Sequence, residues 1–457
     1  MIYDLIVIGA GPAGYLGAER AGRAGLNTLL LEKRAIGGVC LNEGCIPSKT
    51  FLYSAKIFDS AAHGGKYGIV CNDIKLDHES VLKRKEKVVR SLVMGVKAAL
   101  KKNRVTVIEA AGEIAGKNKD GYEVKAGKES FTGRRLLIAT GSAPVIPPVP
   151  GIKEGLEKGF ILTNREVLDL KEPPSSLVIV GGGAIGLEMA SYFNSAGSKV
   201  TVIEMLDHIA GAADREIAEI LMKNYQRKGV EFELNSKVVE IKDGTVVYES
   251  NGAQKSIATA KTLLSIGRRP FTEGLGLEKI GVELERGRVK TDARGQTNIP
   301  GVYAAGDVNG VSMLAHTAYR EAEVCINNMI GKKDLMRYQA IPAVIYTNPE
   351  AASVGETGET AREKGLDFEA VKLPMGYSGR YQAENEAGDG ICKVLIDRKR
   401  RKLIGVHLLA NYASEIIYGA ALMIETEMRA NDIQELVFPH PTVSEIIREA
   451  VFEIEKS

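Results

Sequence analysis

Cys40 and Cys45 lie in the stretch Gly37-Gly38-Val39-Cys40-Leu41-Asn42-Glu43-Gly44-Cys45-Ile46-Pro47-Ser48-Lys49, with four residues between them. That spacing is too wide for a Cys-x-x-Cys pair, but the two glycines and Asn42 leave the loop free to bend the sulfurs together. Pro47 suits a first helical turn and opens a helix-permissive run over 48–62. A helix N-terminus favours a thiolate, and a lowered thiol pKa is what an exchanging disulfide needs. The pair therefore reads as a catalytic redox disulfide, against three blander readings: a structural bridge, half a zinc site, or two buried free thiols. A structural bridge across so short a loop would add little stability. Zinc lacks ligands, because Cys71, Cys325 and Cys392 are isolated and no close His pair completes a set; no metal is expected. Glu43 would disfavour thiolates if it faced the sulfurs, so it is expected to point to solvent.

A second candidate lies near the end of the chain. His440 stands between Pro439 and Pro441, which fix its backbone. Glu445, in the first turn of a final helix, is close enough in sequence to orient the imidazole as in a general-base dyad. A surface histidine beside an ordinary helix-start acid stands level with that reading on sequence alone.

Two repeated units must position these residues. Residues 4–8 are near-continuously apolar, as in a strand buried on both faces. Gly9, Gly11 and Gly14 follow, then a helix to about Gly25, then a strand over 27–31 ending in Glu32. Gly9 makes the tight turn, Gly11 admits a pyrophosphate, Gly14 allows close helix packing, and Glu32 can take ribose hydroxyls. The unit recurs: a strand over 177–180, Gly181, Gly183 and Gly186, a helix to about Gly197, and a strand over 199–203 ending in Glu204. The first glycine and the acid are 23 residues apart in both copies (32 − 9 and 204 − 181), which indicates a duplicated dinucleotide-binding architecture. Glu204, with no arginine before Arg215, favours NAD over NADP.

The remainder supplies boundaries. Short strand-like runs lie over 104–108 and 136–139, the latter leading into Thr140 and Gly141. The proline-rich 144–150 reads as a connection between domains, and a second boundary falls near Gly267-Arg268-Arg269-Pro270. Asp307, after a short apolar strand, can hold a polyol hydroxyl or cap the segment leading to Met313, and capping has the edge. Beyond about Lys332, strands (343–346, 393–396, 403–408) alternate with helical patterns, and Ile417, Ala421 and Ile424 fall on one face of a helix over 414–428. The fold class is α/β, with two Rossmann-like dinucleotide-binding domains and a C-terminal α+β dimerisation domain. The divisions fall at 1–145, 146–266, 267–335 (completing the first domain) and 336–457.

Composition excludes other classes. A net charge of +2 over 457 residues argues against nucleic acid as a partner. No apolar run reaches the roughly 18–20 residues of a membrane span, and the chain enters a strand at once without a leader, so a cytoplasmic protein is expected. Five cysteines, an odd number, do not make a secreted disulfide framework.

Together with Gly301 to Asp307, the run Tyr346-Thr347-Asn348-Pro349-Glu350-Ala351-Ala352-Ser353-Val354-Gly355, and His440 to Glu445, the cysteine stretch and the two fingerprints resemble the flavoprotein disulfide reductases over essentially the whole chain. Within that family the dihydrolipoamide dehydrogenase group is most similar. The resemblance implies FAD on the first fingerprint and NAD on the second. It places Glu32 on the adenosine ribose, Asp307 on the ribityl chain, Thr140, Gly141, Gly112 and Ala315 among the flavin contacts, and Glu204, Gly267 and Arg268 on NAD. Lys49 would lie beside the reactive flavin nitrogen, paired with Glu188. Cys40 would be the interchange thiol, Cys45 the flavin-facing one, and His440, oriented by Glu445, the base. The implied relay runs from a dihydrolipoyl thiol through the two cysteines to FAD and then to NAD+. His440 would come from a second subunit, so a homodimer is implied. The implied partner is the lipoyl-bearing protein of a 2-oxoacid dehydrogenase complex or the glycine cleavage system. A reductase of another disulfide, such as glutathione disulfide, is disfavoured by Glu204 and the lack of a basic cluster. A docking subunit with a vestigial flavin has no use for both cysteines, His440 and Glu445. Phe438, where the group commonly has a second histidine, and the unusual segment 374–381 leave the substrate channel open.

Overall fold

In the computed structural model, which describes residues 2–242, 244–385 and 388–454, the strand Leu5–Ile8 is buried at all four positions. A segment apolar at every position can sit only in a sheet covered on both faces. It lies third in a parallel sheet ordered Val302–Ala304, Leu136–Ile138, Leu5–Ile8, Thr28–Leu31, Thr106–Ile108. The helix Pro12–Arg23 follows the glycine turn and packs on the helix Ala315–Met329.

The second unit repeats the first. Its parallel sheet runs Ile161–Leu162, Lys261–Leu264, Ser176–Val180, Lys199–Ile203, Glu231–Glu233, with the fingerprint strand again third. The helix Ala184–Ser195 follows its glycine turn. Each unit also carries an antiparallel meander that sequence reasoning missed, Gly112–Asn118, Gly121–Ala126 and Glu129–Gly133 in one, Ser236–Lys242, Thr245–Ser250 and Ala253–Ala258 in the other. These strands bury one face at most and are rich in polar residues, so neither a continuous apolar run nor a long clean alternation betrays them.

The chain crosses between the units twice. The outgoing strand Ser142–Pro144 and the returning strand Arg268–Pro270 pair antiparallel as a two-stranded ribbon. Both proline-bearing segments are thus held together at the boundary.

The C-terminal part is an antiparallel sheet ordered Ala343–Ile345, Glu350–Gly355, Leu403–Ala410, Ile391–Asp397, Phe368–Pro374. The helices Ala413–Glu425 and Glu445–Glu453 share its hydrophobic core, with Ile417, Ala421 and Ile424 buried as their spacing predicts. Tyr418 and Leu422, on the other side of Ala413–Glu425, are exposed. Among the described residues no helix is long and apolar enough to cross a membrane.

Candidate active site

Cys40 and Cys45 are joined as a disulfide, their Cα atoms 4.7 Å apart. The segment between them is not the free loop expected from its glycines. Gly38–Glu43 forms a short helix, entered through Gly37 and Gly38 at φ +97° and +59°, a conformation glycine adopts without steric cost. Asn42 locks that helix, its side-chain amide donating to the carbonyls of Gly38 (2.8 Å) and Ile36 (3.1 Å). Cys45 is the first residue of the helix Cys45–Ala62, so the dipole argument holds, with the helix starting two residues before Pro47. A Cβ on Gly38 would come within 2.6 Å of the Gly11 Cα. The redox helix therefore rests directly on the first glycine turn.

Both fingerprints open onto one cleft of about 1180 Å³, lined by the disulfide, Gly9, Gly11, Gly181 and Gly183. A Cβ added at Gly11 or at Gly183 would meet nothing within 4 Å, whereas one on Gly14 would lie 1.8 Å from the Gly9 carbonyl oxygen and one on Gly186 2.2 Å from that of Gly181. The middle glycines thus face open space and the third glycines close packing, as the fingerprint requires. The two acids are held alike. Glu32 accepts from the amides of Ala10 and Arg34, each at 2.7 Å, and Glu204 from those of Gly182 (2.6 Å) and Leu206 (2.9 Å). Each carboxylate is thereby fixed at the rim of its glycine turn. Gly112, Thr140, Gly141 and Ala315 also line the cleft, Ala315 as the first residue of the helix Ala315–Met329. These residues fit two dinucleotides.

Asp307 does not cap the segment leading to Met313: it is the first residue of the short 3-10 turn Asp307–Asn309, whose N-cap is Gly306, and its carboxylate accepts from the Ser142 hydroxyl and lines the cleft. Arg268, expected on the second nucleotide, commits its guanidinium to the Ser142 hydroxyl (2.7 Å), the Ser142 carbonyl (2.8 Å) and Asn164 (3.1 Å). Lys49 and Glu188 meet at 2.8 Å beside the cleft, and Glu188 also accepts the Tyr346 amide at 3.1 Å.

His440 Nδ1 lies 2.8 Å from Glu445 Oε1, while Glu445 Oε2 accepts the Thr442 amide at 2.8 Å. Burial raises the Glu445 carboxyl, but the Thr442 amide and His440 outweigh it and hold the group below the usual range. The imidazole is 77% exposed and does not line the cleft of its own chain. The segment 374–381 braces this loop: the buried Ser378 donates to the Thr442 carbonyl at 3.0 Å. Phe438 packs against the core of the C-terminal sheet.

Glu43 does not point to solvent as expected. It is buried, paired with Arg34 at 2.6 Å and Arg165 at 2.7 Å. An unpaired carboxylate would be costly there, and the two guanidiniums offset that cost. Sequence reasoning also missed Ser142, Asn164 and Glu321, the last accepting the Gly306 amide at 2.6 Å and pinning the turn before Asp307. The partners of Ser142 and Asn164 lie more than 100 positions away, that of Glu321 15, and no spacing signal marks any of the three.

Two glycine cradles emptying into one cleft, with a disulfide seated on the first, define a two-nucleotide dithiol-disulfide oxidoreductase. The chain belongs to the pyridine nucleotide-disulphide oxidoreductase family: residues 3–322 match its model and residues 341–451 that of its dimerisation domain. It is 37% identical to the mitochondrial dihydrolipoyl dehydrogenase of Pisum sativum over 98% of this chain and 90% of that protein. It is 38% identical to the dihydrolipoyl dehydrogenase of Mycoplasma pneumoniae over 98% and 97%. Among solved structures, LpdA from Mycobacterium tuberculosis superposes with a TM-score of 0.89 at 26% identity, covering 98% of this chain and 99% of that one. The HOCl-induced flavoprotein disulfide reductase RclA from Escherichia coli, as a Cu(II) complex, gives 0.87 at 28% identity, covering 99% and 100%. Family members of the dihydrolipoyl dehydrogenase type use FAD and NAD.

Proposed function

We propose that this protein is a dihydrolipoyl dehydrogenase, oxidising dihydrolipoyl groups carried on a partner protein. The observation that carries the reading is the Cys40–Cys45 disulfide in the cleft shared by both glycine turns, with Cys45 opening an 18-residue helix. A substrate thiolate attacking Cys40 expels Cys45, and the helix N-terminus stabilises the expelled thiolate. A leaving thiol of lower pKa leaves faster, so attack at Cys40 rather than Cys45 is favoured. The second substrate thiol then attacks the mixed disulfide, closing the lipoyl ring and freeing Cys40. His440 takes the substrate proton through Nε2, with Glu445 holding Nδ1. Because His440 lies outside its own chain's cleft, a homodimer brings it to the disulfide of the partner subunit. Gly9, Gly11, Glu32 and Asp307 would hold FAD, which when bound would supply the two-electron redox chemistry linking the reduced cysteines to the nicotinamide. Gly181, Gly183 and Glu204 would hold NAD. A reducing compartment, the cytoplasm, keeps such a pair turning over.

The test is consumption of NADH by the purified protein with lipoamide or with glutathione disulfide. Turnover with lipoamide alone is expected; turnover with glutathione disulfide alone would sink the reading. Cys40→Ser is expected to retain flavin and lose lipoamide turnover.

A further inference from the structure

Glu43 ends the helix that carries Cys40 and stands two residues before Cys45. Its carboxylate joins Arg34, from the disulfide's own nucleotide unit, to Arg165, from the other. Its backbone carbonyl accepts from Asn164 at 2.8 Å, and Asn164 in turn accepts from Arg268. One residue of the redox segment is therefore held by three side chains of other segments and sits within a group of three guanidiniums. Burial pushes the Glu43 carboxyl up, and Arg34 and Arg268 pull it back.

Two trans peptide links place the Glu43 Cα within about 7.6 Å of the Cys45 Cα. Glu43 also lines the same cleft as Cys40 and Cys45, and a full unit charge about 10 Å from a thiolate, at an effective dielectric near 20, changes its stability by about tenfold or more. The guanidiniums favour a thiolate on the reduced pair and the carboxylate opposes them. We propose that Glu43, balanced by Arg34 and Arg165, sets the thiol-disulfide equilibrium of Cys40–Cys45, keeping the reduced pair from being over-stabilised so that its electrons move on. This rests on the redox reading of the disulfide given above. Glu43 touches no reacting atom in this scheme and acts through the field at the sulfurs.

The test equilibrates the holoenzyme with defined ratios of oxidised and reduced dithiothreitol. Dithiothreitol loses two electrons and closes its ring disulfide, the Cys40–Cys45 bond breaks, and the protons pass to the new thiols or to buffer. Free Cys40 and Cys45 are then counted by alkylation and peptide mass, which separates them from the exposed Cys71. Glu43→Gln is expected to shift the equilibrium about tenfold toward the dithiol, ~30 mV for this two-electron couple. Arg165→Gln is expected to shift it the other way, by about threefold because Arg165 is half exposed. A purely structural role would move both variants in one direction, and that result, or no shift in either, overturns the proposal. Should Glu43→Gln fail to fold, Arg165→Gln alone decides by its sign. If the native disulfide does not exchange with dithiothreitol at all, the redox reading itself falls. If it exchanges and the variants do not diverge, only the role of Glu43 falls.

Discussion

Lys49 and Glu188 bind each other across the two nucleotide units, the ammonium 2.8 Å from both carboxylate oxygens. The partners are unequally buried, Glu188 at 7% side-chain exposure and Lys49 at 33%. Lys49 follows Cys45 by one helical turn, so the pair ties the redox helix Cys45–Ala62 to the helix Ala184–Ser195.

That asymmetry orders two substitutions. Lys49→Met strands a buried carboxylate that keeps, among the described residues, the Tyr346 amide as its hydrogen-bond donor, at a cost of about 2–3 kcal/mol, whereas Glu188→Gln leaves an ammonium that water can reach, at about 1 kcal/mol. Urea midpoints should fall further for Lys49→Met than for Glu188→Gln. The reverse order would mean that the pair is not the buried contact described.

The glycine turns predict a division between folding and binding. Gly11→Ala and Gly183→Ala place a methyl in open cleft, so both variants should fold with near-native far-UV circular dichroism. Gly11→Ala should lose bound flavin, and Gly183→Ala should keep flavin and weaken NADH binding by tenfold or more, about 1.4 kcal/mol. Gly14→Ala drives a methyl into the Gly9 carbonyl and should lower stability as well as flavin content. Flavin absorbance after gel filtration and NADH titration read the three apart.

The same turns explain how much of the molecule was legible beforehand. Strand, glycines, helix and acid are local, so the fingerprints and the central strands of both parallel sheets follow from short-range spacing, and those buried strands announce themselves as apolar runs, whereas the short outer strands Ile161–Leu162 and Glu231–Glu233 do not. The pairing of His440 with Glu445 was also within reach, because the two stand only five positions apart in the chain. Glu43 was not. A charge in a glycine-rich segment is ordinarily solvated, and only the fold brings Arg165 to it over 122 positions. Asp307 was misjudged for a similar reason: its partner Ser142 lies 165 positions away on the crossing ribbon, while capping is a local expectation.

The dyad makes a kinetic prediction. His440→Gln should lower lipoamide turnover by about 10²–10⁴-fold while leaving NADH oxidation by ferricyanide, which needs no thiol deprotonation, within about twofold. Glu445→Gln can offer its one carbonyl oxygen either to His440 or to the Thr442 amide, not to both, so its loss should be smaller, about tenfold. Because Glu445 titrates below the usual glutamate range, it stays ionised through mild acid, and the acidic limb of kcat/KM belongs to another group. Equal loss of ferricyanide activity in His440→Gln would remove the base assignment.

The contact between the C-terminal sheet and the second nucleotide unit has an alkaline signature. Lys393 Nζ lies 2.8 Å from Asp214 Oδ2 and 3.0 Å from Glu216 Oε2, and Asp214 is fully buried at the start of the helix Arg215–Arg227. Desolvation alone would lower the Lys393 pKa, but the hydrogen bonds to Asp214 and Glu216 outweigh it and raise the group above 10.5. The folded protein thus holds this proton more tightly than the unfolded chain does. The stabilisation is fully present below pH 10.5 and is lost as pH rises through the folded value. Lys393→Met removes the cation, and should cost about 2–3 kcal/mol at pH 8, less than a fully orphaned buried charge because Asp214 keeps the amides of Glu216 and Ile217. The difference in urea midpoint between the native protein and Lys393→Met should therefore be widest at neutral to mildly alkaline pH and narrow above pH 10.5. A gap that stayed constant from about pH 8 to 11 would show that the ion pair is not what joins these two parts of the chain.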